Sequence, residues 1–202
     1  MIIAHRANDN IHKENSIEAI LNSLSKCYVD GIEIDVRLTK DNKLILNHDP
    51  FYKGKLIKKE NSKKLRQLGL NTLSEVLNKI KTNKIIMIEI KCDNNIKRIS
   101  KVIIKTISKY NLNIYICSFN YKLLKYLKEN YKIKCGLIIG IKINTKYINN
   151  EFDFNSINYL CNKLSNKETF KWTVNKLDNI KNKNDNFITD NCKLIYDFIK
   201  KP

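Results

Sequence analysis

Three observations predict an α/β chain folded as a compact (β/α)8, or TIM, barrel. Short apolar runs alternate with longer amphipathic ones. Ionisable residues close several of the apolar runs. The 202-residue length sits at the lower edge of what such a barrel needs. No shift in composition marks a linker, so residues 1–202 are expected to form a single domain. An open flavodoxin-like sheet is the structural alternative.

The elements follow in order. Ile2–His5 reads as a strand, and Asn15–Tyr28 carries Ile17, Ile20, Leu21 and Leu24 at helical spacing. Gly31–Arg37 is a second strand, and Lys43–His48 a further, hairpin-like one. A basic, turn-like stretch spans Phe51–Lys64. Thr72–Ile80 reads as a helix, and Thr72 with Glu75 fits the capping-box spacing better than Ser74 does as a cap. The rhythm continues with strands at Lys84–Lys91, Asn113–Phe119 and Lys134–Gly140, separated by helices at Ile96–Tyr110 and Tyr121–Tyr131. Strands at Ile157–Cys161, Phe170–Asn175 and Asn186–Asp190 precede a last helix near Lys193–Lys200. That makes eight barrel strands besides the one near Lys43. The stretch between Cys161 and Phe170 is too short for a crossover helix, which takes about 10–12 residues. One outer helix is therefore expected to be missing or reduced between the sixth and seventh strands.

Composition narrows the function. Hydrophobic residues make up 43%, enough for a real core, and no run approaches the ~20 apolar residues of a membrane span. The net charge is +18, yet it comes from 34 Lys and only 4 Arg. Lys, Asn and Ile together fill 95 of the 202 positions. A phosphate-gripping surface would be expected to draw more on the planar arginine fork. The charge reads as a lysine coat, and no nucleic-acid partner is expected. The six cysteines lack CxxC spacing and several lie within apolar runs. That suits free, buried thiols in a reduced, cytoplasmic setting.

The chemistry concentrates where strands end. Ile2-Ile3-Ala4 runs into His5-Arg6, Gly31-Ile32 into Glu33-Ile34-Asp35, Leu44-Ile45-Leu46-Asn47 into His48-Asp49, and Ile85 to Ile88 into Glu89-Ile90-Lys91. Residues i and i+2 share a strand face, so Glu33 points with Asp35 and Glu89 with Lys91. Three carboxylates directed into one barrel mouth repel unless a cation sits among them, and all-oxygen ligands suit Mg²⁺ or Ca²⁺. Taken singly, a Glu-x-Asp is usually a solvated edge and a lone histidine a structural residue. Here two of the three histidines and two of the four arginines, Arg6 and Arg37, fall in the same clusters. His12 lies off the pattern and reads as a loop residue.

Those motifs, with Glu14-Asn15-Ser16, Val36-Arg37-Leu38-Thr39-Lys40-Asp41, Leu73-Ser74-Glu75-Val76-Leu77, Ser118-Phe119, Trp172-Thr173-Val174-Asn175 and Ile188-Thr189-Asp190, resemble the glycerophosphodiester phosphodiesterase family. The likeness covers residues 2 to about 191. It implies a TIM barrel that hydrolyses glycerophosphodiesters to glycerol 3-phosphate and an alcohol, using one divalent cation, Mg²⁺ or Ca²⁺. By the same resemblance Glu33, Asp35 and Glu89 are metal ligands, His5 and His48 the acid–base pair, and Arg6 and Lys91 phosphate contacts. Phe119 and Trp172 lie near the alcohol portion, and Glu14 is a further site residue. The chain departs from the family at Ala7, usually Gly, at Lys13, usually Pro, and at Asn191-Cys192, where Pro usually follows Thr-Asp. The segment after His48-Asp49 is short. Two alternatives remain at this level: a lysophospholipid-acting enzyme on the same barrel, and a non-catalytic basic scaffold for nucleic acid or membranes. Spacing leaves open which histidine is the base, and oligomeric state is not legible.

Overall fold

The computed structural model describes residues 1–92, 95–142, 151–161 and 167–200. The chain opens with β1 (Ile2–Ala4), α1 (Ile17–Ser25) and β2 (Gly31–Leu38). Next come β3 (Leu44–Leu46), the two-residue strands β4 (Phe51–Tyr52) and β5 (Lys55–Leu56), α2 (Ser62–Gln67) and α3 (Leu73–Lys79). Regular alternation then sets in with β6 (Ile85–Ile90), α4 (Ile96–Ile107), β7 (Ile114–Ser118), α5 (Tyr121–Asn130) and β8 (Cys135–Ile139). It ends with β9 (Phe154–Asn158), β10 (Glu168–Trp172), β11 (Asn186–Thr189) and α6 (Cys192–Lys200).

Eight of these strands close a parallel barrel. β1 pairs with both β2 and β11, and the ring continues through β6, β7, β8, β9 and β10. The hairpin-like strand stands outside the ring: β3 runs antiparallel against the far end of β2, with Val36 opposite Leu46. Polar residues start the helices. Ser16 Oγ accepts from Ala19 N, Asn95 Oδ1 from Arg98 N, and Asn120 Oδ1 from Leu123 N. The Thr72–Glu75 capping box is complete. At α2, Asn61 makes no side-chain cap; Asp41 from the β2–β3 turn accepts from Ser62 N at 2.8 Å and from Ser62 Oγ at 2.7 Å.

The hydrophobic core has two main parts. Inside the barrel, Ile3, Met87, Tyr115, Cys117, Ile138, Phe154, Phe170 and Ile188 pack against one another. Tyr115, Phe154 and Phe170 form an aromatic triad with centroids 5.3–6.2 Å apart. Phe154 fits because its register partner is Gly136; a Cβ there would meet the phenyl ring at 2.2 Å. The second part lies between the strands and the helices. A smaller cluster of Ile45, Ile57, Leu65 and Leu70 holds the β3–α2 segment.

Two strands lie earlier than apolar runs suggest. β9 starts at Phe154 rather than Ile157 and β10 at Glu168 rather than Phe170. The reduced crossover falls between β9 and β10. Its described residues are not helical, and 162–166 lie outside the described set. The β10–β11 connection carries only one 3-10 turn at Leu177–Asn179, a second reduction that the sequence reading does not foresee. No helix among the described residues is long and apolar enough to cross a membrane. All six cysteines are free, three of them buried.

Candidate active site

Adjacent strands bring the three acids together. β2 and β6 pair in register, Asp35 opposite Glu89 and Glu33 opposite Met87. All three carboxylates are buried, and one oxygen from each lies within 4.8 Å of the others. Lys91 Nζ bridges two of them, 3.0 Å from Asp35 Oδ1 and 2.6 Å from Glu89 Oε1. Asn15 grips Asp35 twice: its Nδ2 donates to Oδ2 at 2.9 Å and its Oδ1 accepts from Asp35 N at 3.0 Å.

Glu33 is held from the other side. The backbone N–H of Arg6 donates to its Oε2 at 2.9 Å. That donor is aimed by a tight turn in which Arg6 and Ala7 both take left-handed φ, 51° and 53°. Glu33 Oε1 is buried and has no hydrogen-bond partner. Burial, then the charges of Asp35 and Glu89, push the Glu33 carboxyl well above its ordinary range. Burial and Asp35 also raise Glu89, against the opposing pull of Lys91. Burial disfavours the Lys91 charge, but Glu89 and Asp35 outweigh it and raise the ammonium. An orphaned buried oxygen among three convergent acids is a donor set that fits one hard divalent cation.

The two histidines flank the same space, a cavity of about 200 Å³ lined by His5, Arg6, Glu33, His48, Glu89, Lys91, Phe119 and Trp172 among others. His5 Nδ1 lies 2.8 Å from Asp190 Oδ1. Asp190 is fixed in turn by Asn175, whose Nδ2 donates to Oδ2 at 2.6 Å and whose Oδ1 accepts from the Asp190 N–H. Burial works against the Asp190 charge, but the His5 contact prevails and holds its pKa down. Because a carboxylate only accepts, the proton sits on His5 Nδ1 and leaves Nε2 for the cavity. His48 is placed similarly: its Nδ1 lies 2.8 Å from Asp49 Oδ1. The Arg37 guanidinium donates to the His48 carbonyl from Nε at 2.9 Å and from its second terminal nitrogen at 2.7 Å. Hydrogen bonding to His48 lowers the Asp49 carboxyl.

The remaining positions fall on the rim. Arg6 reaches Glu14 Oε1 at 3.0 Å and approaches Asp35 Oδ2 at 3.7 Å. Phe119 and Trp172 meet edge to face at 5.8 Å, and Trp172 Nε1 donates to the Ser156 carbonyl. His12 pairs with Asp9 in the β1 loop. Nine of the ten residues singled out from the sequence line this cavity or, for Asp35, belong to the acid cluster beside it; the tenth, Glu14, pairs with Arg6. The structure adds Asn15, Asn175 and Asp190 as supports and sets Arg37, already placed in the strand-end clusters, behind His48. Each lies inside a motif already quoted, but nothing in the motif itself shows which side chain it would hold.

Comparison with known proteins converges on one family. The Glycerophosphoryl diester phosphodiesterase family model matches residues 5–55, the stretch that holds His5, Arg6, Glu33, Asp35 and His48. A glycerophosphodiester phosphodiesterase of Caldanaerobacter subterraneus subsp. tengcongensis is 29% identical over 241 aligned positions, covering 100% of this chain and 98% of that protein. In sequence the chain is similar to the glycerophosphodiester phosphodiesterases. Because the alignment is longer than the chain, the Caldanaerobacter relative carries residues that this chain does without. Solved structures agree on the fold. The Thermotoga maritima glycerophosphodiester phosphodiesterase superposes with a TM-score of 0.83 at 24% identity, covering 98% of this chain and 97% of that one. An Oleispira antarctica phosphodiesterase, solved with the product sn-glycerol-3-phosphate, gives 0.85 at 17% identity over 100% and 97% of the two chains.

Proposed function

We propose that this chain hydrolyses glycerophosphodiesters to glycerol 3-phosphate and an alcohol, with one divalent cation held by Glu33, Asp35 and Glu89. The observation that carries the reading is the meeting of three buried carboxylates below a cavity that has an imidazole–carboxylate pair on its wall. Bound there, Mg²⁺ or Ca²⁺ would supply Lewis acidity toward a phosphoryl oxygen.

The chain's own groups account for the rest. A phosphodiester carries one negative charge and leaves an alkoxide, so breaking it requires positive charge near phosphorus and two proton transfers. Arg6 and Lys91 bring cationic donors to the cavity and stabilise charge as it shifts onto the phosphoryl oxygens. His5 and His48 each keep Nδ1 engaged with a carboxylate and offer Nε2. One takes the proton of the attacking hydroxyl and the other returns one to the departing alcohol. An imidazole can act as acid or base, so either histidine suits either role. Phe119 and Trp172 provide an apolar wall for the alcohol.

The test is release of glycerol 3-phosphate from glycerophosphocholine, with Mg²⁺, Ca²⁺ or chelator. Activity is expected to vanish with chelator and to fall about 10³-fold in His5→Ala. Either cation should raise the melting temperature, and Glu33→Gln should abolish that rise. Undiminished turnover in His5→Ala would sink the assignment.

A further inference from the structure

Among the described residues, eight large apolar side chains are exposed, and five of them stand at one end of the barrel. Ile11, 75% exposed, lies in the loop after β1, and Phe51 opens the hairpin after β3. Phe119 directly follows β7, Ile141 follows β8 and Leu160 follows β9. The loops of Ile11, Phe119, Ile141 and Leu160 leave the carboxyl ends of barrel strands, where the cavity opens, and the Phe51 hairpin, which follows the antiparallel β3, is held at the same end by Lys13 of the β1 loop, whose Nζ donates to Tyr52. The other three, Met1, Leu21 and Leu194, are scattered at the chain start, on α1 and on α6. Single exposed apolar residues need no explanation, but such a concentration at one end does.

The charges on the same loops are asymmetric. Lys53, Lys55 and Lys58 are exposed around Phe51, and Lys142 follows Ile141. Acidic neighbours are spoken for: Asp9 pairs with His12, Glu14 with Arg6 and Asp49 with His48. Lys13 donates to the Tyr52 hydroxyl at 3.0 Å and lies over its ring, tying the Ile11 loop to the Phe51 hairpin.

We propose that this end of the barrel docks on the surface of an anionic lipid bilayer, with the apolar tips entering the interface and the lysines meeting headgroup phosphates. Separate apolar tips on five loops suit a fluid surface, which requires no fixed shape, better than a rigid protein partner. A second copy is disfavoured because two chains of +18 repel. The lysine coat alone gives no orientation, since it covers the whole molecule; the apolar tips supply it. Docking this way turns the cavity toward the bilayer, so that a diester with a lipid alcohol enters from it. That last step rests on the phosphodiesterase reading; the docking does not.

The experiment is co-sedimentation with vesicles of equal parts phosphatidylcholine and phosphatidylglycerol, at low and high salt, beside assays on water-soluble glycerophosphocholine. The unmodified chain should bind, and part of the binding should survive high salt. The double variant Phe51→Ser, Leu160→Ser should bind about tenfold more weakly, with hydrolysis of the soluble diester unchanged. Leu194→Ser, on α6 rather than on one of these loops, should bind like the unmodified chain. Absence of binding, equal binding by the double variant, or a tip-dependent dimer without lipid would overturn the proposal. Vesicle binding without any hydrolysis would instead overturn the functional reading and leave the docking standing.

Discussion

Asp190 shows how much of the candidate site's geometry depends on residues set behind it. Its carboxylate fixes the proton on His5 Nδ1, and Asn175 fixes the carboxylate. Asp190→Asn replaces one acceptor oxygen with a donor nitrogen and no longer enforces that tautomer. We expect kcat to fall at least about 10²-fold with KM little changed, read from steady-state kinetics on glycerophosphocholine. A parallel fall in melting temperature large enough to account for the loss would make Asp190 merely structural. The meeting of the proposed reacting groups was legible in the sequence, because strand alternation and strand-end position dictate where Glu33, Asp35, Glu89 and both histidines point. Their supports were not, since nothing in local pattern links position 5 to position 190. Ala7 is instructive in another way. The family's usual glycine fits a left-handed turn, and the turn is left-handed here too, φ 53°, with a methyl group in place. The chain retains the geometry that aims the Arg6 N–H at Glu33 and bears the strain.

The β2–β3 turn shows the same economy among elements. Asp41 accepts from Thr39 Oγ1 at 2.7 Å and caps α2 through Ser62, joining the strand extension that positions His48 to the helix behind it. Burial opposes its charge, but the hydroxyl and amide donors prevail and lower its pKa. Unfolding frees the carboxylate to bind a proton more readily. The stabilisation is therefore complete above the ordinary aspartate range near 4 and disappears as pH falls through the lowered value. Asp41→Ala is expected to cost about 1 kcal/mol at pH 7 and close to nothing in strong acid, measured by urea unfolding across pH. Element boundaries reveal where periodicity misleads. In β9 the fully buried Asn155 and Ser156 interrupt the apolar pattern, so the run Ile157–Cys161 reads as the strand although the ladder begins at Phe154. After β10, Val174 is buried once the chain has left the ladder, which makes the strand look longer than it is.

The barrel as a whole is unevenly covered. Every residue of β6 is buried, whereas in β10 only Phe170 is, with Glu168, Thr169, Lys171 and Trp172 half-buried. Helices α3, α4 and α5 back the first side, and one 3-10 turn serves the β10–β11 connection. Local opening is easiest where apolar cover is thin, so amides of β10 should exchange at least about tenfold faster than those of β6 in native-state hydrogen exchange. Equal protection would mean that the ring opens only as a unit. The barrel topology was legible because alternation with eight strand candidates leaves few other solutions. The thin side was legible only in part: a short crossover is visible as a residue count, whereas the loss of a helix from a connection of ordinary length is not.

Trp172 is the single tryptophan of the chain, and it stands on the cavity wall with its ring edge against Phe119. The molecule thus carries its own optical reporter at the one place where occupancy matters. Excitation of the indole reads out that wall without any label, and a ligand lodging beside it should change the emission while distant events leave it silent.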